Sequence, residues 1–230
     1  MYFCHSNAIW TDYPELVPGL LLAEGITKNA AIGPQVEKFY AIAASRLSHN
    51  SEGELPEVQA WRRVFSRMGL KPTQYRCASE SLLRRFRKEK SLPQLHPVID
   101  LCNSIAMAFA IPVAVFDVSR IAEYIEVRRA TGSETYLAFS GETENPEPGE
   151  VIFADHAGRA HARRWTNRQS GYSAVRDETS TVLIVAEGVH NSALPDLQKL
   201  MSTIENELTT SGFNVPRTGI LNKLSPRFEF

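Results

Sequence analysis

The chain has 230 residues, 43% hydrophobic and 22% charged, which is enough apolar material for one full core and too little charge for general disorder. A formal net charge of -1 supplies no global basic field, so any nucleic-acid contact must come from a local patch. Cys4, Cys77 and Cys102 form no close pair and the opening residues lack a basic-then-apolar leader, so a reducing, cytoplasmic setting is expected. The longest apolar run, Ile105 to Phe116, is broken by Pro112 and is too short to span a membrane.

Leucines around Pro18 and Gly19 predict a strand over Leu16 to Ile26. From Pro34 the period becomes helical, with Val36, Tyr40, Ala43, Ala44 and Leu47 on one stripe and the polar run Ser48 to Gly53 as the exit. A second helix begins at Pro56, carries Val58, Trp61, Val64, Phe65 and Met68 at helical spacing, and stops before Gly69. A third is expected from an N-cap at Ser79, with Leu82, Leu83 and Phe86 opposite the basic residues Arg84, Arg85, Arg87, Lys88 and Lys90; Pro93 then breaks the chain. The fourth helix, Pro97 to Ala110, is apolar almost all round, yet it carries Asp100 and Asn103, which need polar partners.

Beyond Pro112 the pattern turns to strands: Val113 to Val118, Ile125 to Ala130, Thr135 to Ser140, Val151 to Asp155, Ala160 to Trp165 and Val182 to Glu187. Gly141 to Gly149, rich in Glu and Pro, is expected to be a flexible loop, and a last helix runs from Pro195 to Leu208. One compact domain over residues 1–213 is expected, with 214–230 as a tail that could be a strand, an arm or disordered. Helices first and strands afterwards argue for an α+β fold of layered mixed or antiparallel sheets, sandwich-like and packed with helices, not for alternating βαβ units.

No glycine-rich phosphate loop, His-Glu-x-x-His or Gly-x-Ser-x-Gly elbow is present, so no cofactor is called for. His156 and His161 bracket a turn without any recognised metal-ligand spacing, and the expected metal site is none. Arg84, Arg85, Arg87 and Lys88 could contact RNA phosphates or form an ordinary solvated face. Asp155 and Asp177 border turns, where a carboxylate ordinarily accepts from backbone amides.

A longer pattern is more specific. Trp61-Arg62, Phe65, Gly69, Pro72, Tyr75, Ser79-Glu80, Leu82 and Arg84-Arg85 are followed by Pro97-Val98-Ile99-Asp100, Asn103, Pro112, Phe116-Asp117, Ile121 and Arg128. Ala154-Asp155-His156 and Asp177-Glu178-Thr179 complete it. Over about Trp61 to Gly188 the chain resembles free-standing relatives of the B-three/B-four editing domain of the phenylalanyl-tRNA synthetase beta subunit.

That resemblance implies the synthetase domain's fold and a trans-acting aminoacyl-tRNA deacylase in translation quality control, a hydrolase partnered by the aminoacylated end of tRNA and not by DNA. It implies that Asn103 stands at a pocket asparagine, with Cys102 in place of a threonine and Ala114 in place of a histidine. The synthetase's tyrosine-sensing glutamate has no secure counterpart, since Asn167-Arg168-Gln169-Ser170-Gly171 occupies its neighbourhood. Asn103 is the expected catalytic residue, although a helix cap or interhelical hydrogen bond is the plainer role for it. Arg168, Gln169 and Ser170 are expected at the amino acid or ribose, and Glu80 at the amino group unless it pairs with Arg84. Cys102 should be an inert buried thiol. Tyrosine is disfavoured because no charged group is evident to meet its hydroxyl. The competing expectation is a non-catalytic module that binds tRNA, an amino acid or another small ligand.

Overall fold

The computed structural model describes all 230 residues. Its strands are β1 (Tyr2–His5), β2 (Val17–Glu24), β3 (Val113–Asp117), β4 (Tyr124–Arg129), β5 (Tyr136–Leu137), β6 (Thr143–Glu144), β7 (Val151–Ala154), β8 (Ala160–Arg163), β9 (Arg168–Gln169), β10 (Thr181–Gly188), β11 (Asn214–Ile220) and β12 (Arg227–Glu229). The helices are α1 (Asn7–Asp12), α2 (Gly33–His49), α3 (Pro56–Arg67), α4 (Ala78–Glu89), α5 (Pro97–Phe109) and α6 (Ala193–Thr210).

Two sheets and a helical layer are stacked. One sheet has the order β12-β1-β4-β7-β8-β9, and the other β11-β2-β10-β3; β5 and β6 form a small hairpin beside them. Pairing is antiparallel throughout except for β1 with β4, so the α+β layered reading holds. Strand β10 is buried along almost its whole length because both of its faces are covered. Leu183 and Val185 face the larger sheet with Phe3, Phe116, Phe153 and Trp165, while Val182, Ile184 and Ala186 face α5 and α6 with Ile105 and Leu197. A strand covered on both faces reads as a continuous apolar run, which is why Val182 to Glu187 was legible despite lacking alternation.

Several expectations change. The first twelve residues, unassigned from sequence, form β1 and α1; a four-residue strand is too short to display a period. Residues 214–230 supply β11 and β12, which close one edge of each sheet. The segment Gly141 to Gly149 is tied down: β6 pairs with β5, and Glu144 at its end accepts from Arg163 at 2.5 Å. Arg163 is buried and also takes Glu150 in a two-pronged pair at 2.9 Å, so one of the acidic residues that suggested a mobile loop, Glu144, is a counter-charge of a buried arginine. Helix α4 starts two residues earlier than expected, with Cys77 at the N-cap; the Ser79 hydroxyl donates instead to the Ala110 carbonyl at 3.0 Å.

Candidate functional site

Strand β3 is the outer strand of the four-stranded sheet, and β9 is the outer strand of the six-stranded one. The two edges meet at a seam, where the Gln169 amide donates to the Val115 carbonyl at 2.7 Å. Tyr136 holds β9 from behind, its hydroxyl donating to the Gln169 carbonyl at 2.8 Å. The turn that delivers β9 places Arg164 and Trp165 in consecutive left-handed conformations, at φ 47° and 57°. Such backbone is costly for bulky residues and persists because Trp165 is fully buried, edge-on to Tyr13 and Trp61.

Two hollows flank this seam and share Val113 and Gln169. A narrow one of about 50 Å³ includes Ala114, Arg168, Trp165 and Glu187; a wide one of about 380 Å³ includes Asn103, His96, Ile99, Leu95 and Phe139. Asn103 is half-buried and its amide has no protein partner, so it is neither a cap nor an interhelical bond. Leu95 and Phe139 stand 69% and 73% exposed at the mouth, a high exposure for side chains of that size.

The remaining residues expected at the site lie elsewhere. Cys102 is sealed among the α5 and α6 side chains, where burial pushes its thiol up to about 12. Ser170 is fully buried; its hydroxyl donates to the Leu137 carbonyl and accepts from Tyr172 N–H, fixing β5 against the turn after β9. Glu80 is also buried and pairs not with Arg84 but with Arg62 at 2.6 Å and Arg76 at 3.4 Å. Arg84 and Arg87 share the buried Glu52, at 3.7 and 3.1 Å, and Arg85 pairs with Glu89 at 2.8 Å. Lys88 alone of the four basic candidates is without an acidic partner. Ala78, at the start of α4, lines the narrow hollow, so helix rise puts the basic stretch roughly 9 to 15 Å farther along.

Two side chains at the seam were not singled out from sequence. His96 caps α5 through Nδ1, which accepts from Val98 N–H. Burial holds its pKa below the ordinary value; the neutral ring therefore carries its proton on Nε2, a buried donor without a partner. Its signal was a histidine directly before the proline that opens a buried helix. Glu187 is 2% exposed, accepts from His5 Nε2 at 2.7 Å and from Trp165 Nε1 at 3.0 Å, and lines the narrow hollow. Its signal was an acid ending an otherwise apolar strand. The argument against tyrosine from a missing charge thereby loses its premise, since a carboxylate is present.

Asp155, His161 and Ser173 line up as a serine-histidine-carboxylate chain, at 2.8 Å from Nδ1 to Oγ and 3.1 Å from Nε2 to Asp155. All three are buried, so no substrate can reach the serine. Burial acts to raise the Asp155 pKa, but His161 and the amides of Arg159 and Ala122 outweigh it and hold the carboxyl low. Asp177 is exposed and pairs with Lys28. His156 lies exposed near Glu123, and no cluster of three His, Cys, Asp or Glu side chains is assembled for a metal.

The profile of the B3/4 domain matches residues 60–206, well over half of the chain and the whole of the seam. The chain belongs to the B3/4 domain family. It is 23% identical over 172 residues to a phenylalanine-tRNA ligase beta subunit of Pasteurella multocida, covering 74% of this chain and 21% of that one. Against the corresponding subunit of Bradyrhizobium diazoefficiens it is 28% identical over 100 residues, 44% of this chain and 12% of the relative. An N-terminal fragment of the phenylalanyl-tRNA synthetase beta subunit from Pyrococcus horikoshii shares the fold, with a TM-score of 0.51 at 12% identity over 93% of this chain and 49% of that one. The chain thus spans about a fifth or less of the length of these two curated relatives. No helix is long and apolar enough to cross a membrane.

Proposed function

We propose that this B3/4 domain hydrolyses the ester joining a misattached amino acid to the terminal ribose of a tRNA. The observation that carries the reading is the meeting of two unequal hollows at Gln169 and Val113, with the unpartnered Asn103 amide on one side and Ala114 with Arg168 on the other. The aminoacyl group enters the narrow hollow, and the terminal nucleoside occupies the wide one, where the exposed Phe139 offers a face for base stacking. The ester then lies between Asn103 and Gln169.

Gln169 has committed its Nε2 to Val115, which leaves Oε1 to accept from a water. Asn103 Nδ2 can donate to the ester carbonyl and stabilise the oxyanion as the water oxygen adds to the carbonyl carbon. The carbon-oxygen bond to the ribose then breaks, the ribose oxygen takes up a proton, and free amino acid and tRNA result. Neither a thiol nor a serine nucleophile is needed, in keeping with the buried Cys102. The narrowness of this hollow, walled by Phe153, Ala162 and Trp165, favours a small aminoacyl side chain over a phenol.

A binding module is favoured by one observation: the narrow hollow holds no histidine, with alanine at position 114, and its one carboxylate, Glu187, is already bonded to His5 and Trp165. Incubating the pure protein with a panel of mischarged tRNAs separates the readings. Release of amino acid over many turnovers is expected; tight binding without release would establish the module, and neither binding nor release would remove tRNA from the account.

A further inference from the structure

Glu187 has no role in the hydrolysis above, yet it is a carboxylate buried at a cavity wall. No lysine or arginine pairs with it; the donors to its carboxylate are the His5 ring and the Trp165 indole. The indole proton is shared between the two oxygens, which leaves acceptor capacity on a group that has already been removed from water. Burying a carboxylate in this way is unfavourable unless further donors arrive.

Its depth decides what can reach it. Strand β10 lies one strand inside the β3 edge, with Ala186 opposite Val113 and the Glu187 amide donating to the Pro112 carbonyl. The ester and the α-carbon sit at the seam between Asn103 and Gln169, so only the far end of an aminoacyl side chain extends inward to Glu187. Ala114, with its single methyl group, leaves the way open. This hollow is the smaller of the two, which favours a short side chain.

We infer that Glu187, set by His5 and Trp165, is a specificity residue that selects aminoacyl groups with a short side chain ending in a hydrogen-bond donor, the seryl hydroxyl being the best match. This rests on the tRNA-end reading of the seam. The hydroxyl donates to the carboxylate, and a charge-assisted bond of this kind distinguishes seryl from alanyl, its isostere without the donor, by about 10- to 100-fold.

The test uses non-hydrolysable seryl, alanyl, threonyl and phenylalanyl amides of 3′-amino-3′-deoxyadenosine. Binding to the full chain is followed by calorimetry and by tryptophan emission, to which Trp165, the indole that touches Glu187, contributes beside Trp10 and Trp61. Seryl is expected to bind at least tenfold more tightly than alanyl, and phenylalanyl to be excluded from the narrow hollow. E187Q, which keeps the shape, should reduce the seryl preference to less than threefold while leaving alanyl binding unchanged. H5Q is a second variant that perturbs the carboxylate from behind, and it should weaken seryl selectively.

Equal binding of seryl and alanyl, or an equal loss of both in E187Q, would overturn the inference; the second outcome would assign the carboxylate to the α-ammonium group. If seryl is preferred over alanyl as expected but no mischarged tRNA is hydrolysed, the deacylase reading fails and the selectivity stands. If hydrolysis occurs without any seryl preference, the reverse holds.

Discussion

Helix α4 and the seam between β3 and β9 both concentrate polar side chains, yet their groups are answered in different ways. On α4, Arg84 and Arg87 converge on the buried Glu52, and Arg85 on Glu89. At the seam the Asn103 amide and the His96 Nε2 proton have no protein partner, and Glu187 has acceptor capacity to spare. A dense basic run is conspicuous in sequence, but its acidic partner Glu52 lies more than thirty residues away and satisfies much of it. The inconspicuous Asn103, without a protein partner, and Glu187, with acceptor capacity left over, stand at a cavity, which is the condition under which a polar group can act on a ligand.

The sharpest way to break this contrast is Asn103→Ala. If the amide stabilises the oxyanion, deacylation falls about 10²- to 10³-fold, while thermal unfolding is nearly unchanged because the side chain makes no bond within the protein. A variant that keeps full activity would move catalysis away from α5. Phe139→Ala is expected next in size: loss of a stacking face weakens binding of the terminal nucleoside by about 1 to 3 kcal/mol. The effect should appear in KM more than in kcat, and Phe139→Tyr should restore it. An unaltered KM would mean that the wide hollow does not hold the base.

The α4 side is tested by freeing its charges. Glu52→Gln releases Arg84 and Arg87 at a stability cost of about 1 kcal/mol, modest because the guanidinium groups are more than 40% exposed. If α4 contacts RNA, the salt dependence of tRNA binding should steepen by up to about one unit per freed group, and Lys88→Ala should make it shallower by about one. Identical slopes in both variants would exclude α4 from the interface. The smallest effect is expected for Cys102→Ala, which removes a buried sulfur at roughly 1 kcal/mol of stability and keeps most of the activity. A folded but inactive protein would refute the water mechanism.

Strong local periods made most of the scaffold legible. Val58, Trp61, Val64 and Phe65 repeat at helical spacing and form the buried face of α3; Pro97 opens α5, and the apolar run after Thr181 is β10. Short or paired elements were not legible. Strands β1 and β12 carry too few residues to show a period, and β6 acquires its structure only by pairing with β5. Of the candidate site residues, Asn103, Ala114, Arg168 and Gln169 come to the seam, whereas Cys102, Ser170 and Glu80 turn inward to packing, backbone bonds and arginines.

By itself the sequence determined the layered α+β class, the main helices and the position of Asn103 on a helix that needed polar company. It also carried the ordered residues by which the B3/4 family can be recognised. Those features depend on neighbours within a few residues, or on residue identity at fixed spacings. Which polar groups are satisfied was decided only by the tertiary structure, because the partners are distant: His5 meets Glu187 across 182 positions, Gln169 meets Val115 across 54, and Arg163 draws in Glu144 and Glu150. Hydrogen bonding and ion pairing act over a few ångströms of space, whatever the separation along the chain.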